Sequence, residues 1–265
     1  MTDTAAVLHH DVAGPQDGPP LILGPSLGTS LDVWVPQLAA LSRAHRVLRY
    51  DLPGHGGSPT ALLPHPEPGG TTVADLAALV LDLADRYGIG AFHYAGISLG
   101  GAVGTHLATR HPERVASLAL VCTSAHFGGA APWRERAALV REKGMGPVLA
   151  TAPARWFADP ETASTPRGAA LLGDHAAADP AGYAACCDAL AAFDARDALA
   201  SIAAPTQVVA GAGDVATPVS HGRELADSVP GGRLDVVEGG HLASVERPAE
   251  VAALLVAHLD RVGNP

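Results

Sequence analysis

Ser98 lies in Gly96-Ile97-Ser98-Leu99-Gly100, a G-x-S-x-G that follows the run AFHYAG and precedes a stretch at helical spacing. A strand that turns sharply into a helix needs small residues on both sides of the turn. Such a turn leaves the serine hydroxyl exposed at the sheet edge, where the free N–H groups of the helix start favour developing negative charge. The chemistry this suits is nucleophilic attack on a carbonyl, which requires a base and a carboxylate to orient the base. Both follow in chain order. After TQVVA comes Gly211-Ala212-Gly213-Asp214, and after RLDVV comes Glu238-Gly239-Gly240-His241. We assign Ser98 as nucleophile, Asp214 as acid and His241 as base. Of the 13 histidines only His241 follows the last strand in a Gly-Gly loop. His55, in Gly54-His55-Gly56-Gly57-Ser58, follows an early strand and reads as structural, with Asp51 a strand-end carboxylate that caps the Gly-rich loop. The oxyanion formed on attack needs two donors: the N–H of Leu99, and an N–H from the loop Gly24-Pro25-Ser26-Leu27-Gly28-Thr29-Ser30, where Leu27 is the expected donor.

These residues need a scaffold, and the hydrophobic pattern supplies one. Short apolar runs near 21–23, 46–50, 91–96, 117–121, 206–210 and 233–237 alternate with helical stretches near 34–42, 72–87, 99–111, 219–228 and 248–262. That alternation predicts the α/β class, a mostly parallel central sheet flanked by crossover helices. Between about 125 and 200 the strand signal stops, and Ala-rich helical pieces are broken by prolines. The expected organisation is a core of residues 1–124 and 201–265 with a helical cap, residues 125–200, folded over one end of the sheet. The proline-rich segment 59–70 reads as a surface loop.

Composition narrows the partners. A chain of 265 residues with a formal charge of -10 repels nucleic acid and anionic lipid surfaces, so a small-molecule substrate is expected, with no nucleic acid and no membrane. No segment has the length of apolar sequence that a membrane span needs, and the N-terminus has neither a basic start nor an apolar core, so a cytoplasmic protein is expected. Three cysteines, two of them adjacent, give neither a disulfide framework nor metal-ligand spacing. No phosphate loop or zinc spacing suggests a cofactor, and none is expected.

Taken together, the residues resemble an α/β-hydrolase, and more narrowly the 3-oxoadipate enol-lactone hydrolases. The carriers are Ser26-Leu27-Gly28-Thr29 with Trp34, Arg46-Val47-Leu48-Arg49-Tyr50-Asp51 leading into Gly54-His55-Gly56, the turn at Ser98, Gly182-Tyr183-Ala184-Ala185-Cys186-Cys187, and the segments around Asp214 and His241. Two positions depart from that family, which often has Asn at Pro25 and Met at Leu99. The resemblance implies a five-membered unsaturated lactone bearing a carboxymethyl group, and hence a local cation for its carboxylate. Trp133 and Arg136, three apart on one helix face, and Arg155-Trp156-Phe157 are the basic and aromatic clusters that match. Substrate binding is therefore expected at Arg136, Trp133, Trp156 and Arg155. The same frame also hosts carboxylesterases of other substrates, and a receptor can retain all three of Ser98, Asp214 and His241 without turnover.

Overall fold

The computed structural model describes residues 7–263. Seven strands form one sheet: β1 (His10–Ala13), β2 (Pro20–Gly24), β3 (Arg46–Tyr50), β4 (Phe92–Ile97), β5 (Val115–Val121), β6 (Thr206–Gly211) and β7 (Arg233–Val237), in the order β1-β3-β2-β4-β5-β6-β7. All neighbours pair parallel except β1, which runs antiparallel along β3. The six parallel strands are those the apolar runs predict. The pattern missed β1 because its four residues, His-Asp-Val-Ala, are only partly buried at the sheet edge and have no apolar run.

Helices cover both faces. Their order is α1 (Val35–Leu41), α2 (Val73–Arg86), α3 (Leu99–Arg110), α4 (Ala130–Lys143), α5 (Gly146–Leu149), α6 (Ala152–Trp156), α7 (Pro166–Ala177), α8 (Pro180–Ala192), α9 (Val219–Ser228), α10 (Ala243–Glu246) and α11 (Pro248–Val262). The period of two in each strand divides its side chains between two cores. Phe92 and Tyr94 of β4 pack with α2, α3 and α8 on one face, while Ala95 and Ile97 pack with α1 and α11 on the other. In α2, Val73, Leu76, Ala77, Val80, Leu83 and Ala84 make one buried stripe. Its start is fixed by a reciprocal capping box: the Thr72 hydroxyl accepts from the Asp75 amide (3.3 Å), and the Asp75 carboxylate accepts from the Thr72 amide (2.8 Å). Such a cap contributes about 1 kcal/mol.

Between β5 and β6 the chain is helical, running through α4 to α8. An isolated antiparallel bridge between His126 and Asp194, with the Ala195 amide bonded to the Ala125 carbonyl (2.9 Å), joins the two ends of this excursion. Residues 59–70 carry one short 3₁₀ turn, Thr60–Leu62, and are otherwise irregular.

Parallel strands bring their C-terminal ends to one edge of the sheet. From β2 the chain moves outward to β3 on one side, and from β4 it moves outward to β5 on the other, so the loops after β2 and β4 diverge and leave a crevice. Ligand sites of open parallel sheets form at this kind of point.

Candidate active site

Ser98 stands between β4 and α3 with φ 56° and ψ −117°, in the left-handed region that a side chain normally avoids. Close backbone packing holds it there. A Cβ on Gly96 would lie 2.2 Å from the Gly100 carbonyl oxygen, and one on Gly100 would lie 2.3 Å from that of Gly24. The Gly100 amide donates to the Pro25 carbonyl (3.0 Å), and the Tyr94 hydroxyl donates to the Gly100 carbonyl (3.0 Å). On the β5 side the Ser98 amide donates to Val121 (3.0 Å) and its carbonyl accepts from the Thr123 hydroxyl (2.7 Å).

The loops after β6 and β7 interlock in the same way. A Cβ on Gly211 would lie 2.4 Å from the Gly240 carbonyl oxygen, and the Gly213 amide donates to Gly239 (2.8 Å). Asp214 and His241, 27 residues apart in sequence, meet in a hydrogen bond of 2.9 Å between Oδ2 and Nδ1, both buried. The other Asp214 oxygen accepts from the Ala216 and Thr217 amides (2.7 and 2.9 Å). The Thr217 hydroxyl donates to Oδ2 (2.6 Å) and lies 3.3 Å from His241 Nδ1. Burial by itself would raise the Asp214 carboxyl, but the imidazole facing it and the hydrogen bonds from His241 and Thr217 outweigh burial and hold it below the ordinary carboxylate value. Glu246 fixes the turn before His241, accepting from the Gly240 amide (2.5 Å) and from Asp159 (2.9 Å), while the Leu242 amide donates to the Trp156 carbonyl (2.9 Å). The helical excursion and the His241 loop are thereby tied together.

The loop after β2 completes the crevice. Thr29 turns back onto the Ser26 carbonyl through both its amide (3.1 Å) and its hydroxyl (2.9 Å), and the Trp34 indole anchors the Gly24 carbonyl (2.9 Å). From α7, the Ser30 hydroxyl is held by Asp174 (2.6 Å), and the His175 ring packs so closely on Gly28 that a Cβ there would lie 2.4 Å from Nδ1. Among the described residues neither the Leu27 nor the Leu99 amide donates a hydrogen bond within the protein.

Ser98, His241, Thr217, Ser26 and Leu27 line one pocket of about 410 Å³, its open mouth included, with Phe127, Trp133, Arg136, Arg155, Trp156 and Tyr183 on the far side. All four residues expected to bind substrate are there. The Arg136 guanidinium lies 5.8 Å from the Trp133 ring and 5.6 Å from that of Tyr183, and its Nε donates to the Tyr183 hydroxyl (2.8 Å). That leaves its terminal N–H fork free of any carboxylate among the described residues, in contrast to Arg49, Arg114, Arg141 and Arg196. Arg155 likewise has no ion pair among them. Burial, and then the Arg136 charge beside it, lower its affinity for a proton. Such a pair attracts an anion.

Several contributors were not singled out by sequence. Thr217, Tyr183, Phe127 and His175 become visible only through contacts across the chain, although the narrow signature at 182–187 already marked the neighbourhood of Tyr183. His55 lies outside the pocket lining, buried, with Nδ1 3.0 Å from the Pro53 carbonyl. Asp51 accepts from the Gly57 amide (2.8 Å) and the Leu31 amide (2.6 Å), bracing the Gly-rich loop against the loop after β2. All three cysteines are free and buried. No described helix is long and apolar enough to cross a membrane, and no described cluster of His, Cys, Asp and Glu has the makings of a metal site.

The family described as alpha/beta hydrolase fold matches residues 19–159. The chain is 36% identical to 3-oxoadipate enol-lactonase 2 of Acinetobacter baylyi, over 94% of this chain and 91% of that one. It is 37% identical to a protein of Variovorax paradoxus that carries the name carbamate hydrolase RutD, over 97% and 98% of the two chains. Among solved structures, the enol-lactonase from Burkholderia xenovorans LB400 superposes with a TM-score of 0.90 at 34% identity, covering 96% of each chain.

Proposed function

This chain belongs to the α/β-hydrolase family and is a hydrolase of ester or lactone bonds, and from that premise we propose that it opens a small acidic enol-lactone, 3-oxoadipate enol-lactone, by a Ser98, His241, Asp214 mechanism. The observation that carries this reading is the pair Arg136 and Arg155, which face the Ser98 pocket without a carboxylate partner among the described residues of a chain of net charge -10. A neutral ester would leave these half-buried cations without a counter-charge in the pocket. A lactone with a carboxylate arm compensates them and is oriented by them.

In the mechanism, His241 takes the Ser98 proton, Ser98 attacks the lactone carbonyl, and the amides of Leu27 and Leu99 hold the oxyanion. Asp214 keeps the imidazole in its productive orientation and stabilises its charge. Ring opening releases an enolate, a weaker base than an alkoxide, so proton donation from the imidazolium is undemanding. Water activated by His241 then frees Ser98 and the keto acid. The carboxylate lies against the Arg136 fork, with Trp133, Trp156 and Arg155 closing the pocket. No step calls for a metal or an organic cofactor. Residues 125–200 act as a cap that dries the site, and the reaction is that of a cytoplasmic catabolic enzyme acting on aromatic breakdown products.

The test follows loss of lactone absorbance with wild type and Arg136→Ala, against a neutral p-nitrophenyl ester. The variant is expected to lose on the order of 10²-fold in lactone kcat/KM and little on the ester, since only the lactone uses a charge-assisted bond to that side chain. A wild type that prefers the ester overturns the substrate. The relative named as a carbamate hydrolase favours a second reading, attack on a carbamate carbonyl by the same groups, so a carbamate belongs in the same assay.

A further inference from the structure

Trp133, Arg136 and Arg155 line two cavities at once. On their inner side is the Ser98 pocket. On their outer side, with Thr151, Glu135 and Pro147, they form a second groove of about 790 Å³, its open mouth included, bounded by α4, α5 and α6. The two spaces share this wall and nothing else in their linings except these three side chains. The nearby Asp188 on α8 is already taken by Arg141 (2.5 Å) and the Gly69 amide (2.9 Å), which leaves Glu135, exposed, as the acid in the groove lining.

The proposed reaction changes charge in a way that concerns this wall. Water adds across the acyl C–O bond of a lactone monoanion. The product is a dicarboxylate of charge −2, and one proton is released. The second carboxylate is born beside Ser98 while the first is still held by arginine, so departure along a path without cations would cost the compensation of two charges. Two adjacent guanidiniums open to both spaces provide such a path.

We propose that the outer groove is a carboxylate-binding site for short straight-chain dicarboxylates, and that the Arg136 and Arg155 wall passes the dianionic product through it to solvent. This inference rests on the acidic-lactone reading of the Ser98 site. It assigns the groove a ligand class, and it assigns the two arginines a second task on their outer face.

Thr151 lines the groove but not the inner pocket and is exposed, and among the described residues its hydroxyl bonds only to the Val148 carbonyl (3.1 Å), so a side-chain charge can be placed there without touching the chemistry. The probe is adipate, titrated calorimetrically into wild type, Thr151→Glu, Thr151→Gln and Glu135→Gln, with melting temperatures as the folding control. One added negative charge at the groove is expected to raise the adipate Kd about fivefold. The neutral Thr151→Gln leaves it unchanged, Glu135→Gln lowers it, and turnover of the neutral ester is the same in all four proteins. Adipate binding that ignores Thr151→Glu overturns the groove. If binding responds as expected but the lactone is not turned over, the substrate reading fails and the groove stands. If the lactone is turned over while binding ignores Thr151→Glu, the groove fails and the substrate reading stands.

Discussion

Asp214 accepts four hydrogen bonds, and two of them, from Thr217 Oγ1 and His241 Nδ1, converge on a single oxygen. In the proposed mechanism the threonine hydroxyl aims that oxygen, and through it the imidazole, without touching substrate carbonyl or nucleophile. It is a positioning residue. Thr217→Val is expected to cost about tenfold in kcat with KM little changed, the worth of one hydrogen bond to a charged group, whereas Ser98→Ala costs on the order of 10³ or more. Steady-state kinetics on the lactone, with melting temperatures to confirm folding, separate the two. A Thr217→Val enzyme as slow as Ser98→Ala would mean that the threonine does more than position.

At the scale of elements, the site depends on glycine contacts between backbones. Gly100, the second residue of α3, packs against the end of β2, and a methyl there must push apart the two segments that carry Leu27 and Ser98. Gly100→Ala is expected to destabilise by about 2–4 kcal/mol in urea unfolding and to slow turnover as well. Gly173, inside α7, is the contrast. A Cβ there meets nothing within 4 Å, so Gly173→Ala is expected to stabilise by about 0.5–1 kcal/mol. The small residues around Ser98 were legible in sequence because a G-x-S-x-G between a strand and a helix has a local steric reason. β1 was not, because an edge strand of four residues, three half-buried and Asp11 exposed, makes no periodic pattern.

The molecule as a whole buries imidazoles. His93, His175 and His258 are each pushed down to about 4, chiefly by burial, with the neighbouring positive charges of Arg136 and Arg261 adding to it at His175 and His258. His175 finds no partner for either ring nitrogen, and His93 and His258 leave Nε2 unmatched. The folded state keeps these rings neutral while the unfolded chain protonates them near their ordinary value of 6.5. Between pH 6.5 and about 4 the unfolded state thus binds more protons, and stability falls as pH falls, by on the order of 2 kcal/mol per imidazole. Asp214 acts in the same direction at lower pH: its carboxyl is held down in the fold, so its contribution, complete above the ordinary carboxylate value, is lost on acidification. Urea midpoints measured from pH 7 to pH 4.5 are expected to drop steadily, and a flat profile would refute the account.

Sequence by itself determined the fold class, the turn at Ser98 and the chain order of Ser98, Asp214 and His241. Each is written in short-range terms, as a period of two or 3.6, a glycine where backbone must pass close, or a loop after a strand. Tertiary structure decided which of those loops touch. It brought Thr217 beside the Asp214 and His241 contact, set Tyr183 under Arg136 from 47 residues away, packed His175 onto Gly28, and left Arg136 and Arg155 without a carboxylate while Arg141 took Asp188. The reason is physical. Which cation finds a partner depends on distances between side chains far apart in the chain, and no local pattern of residues encodes those distances.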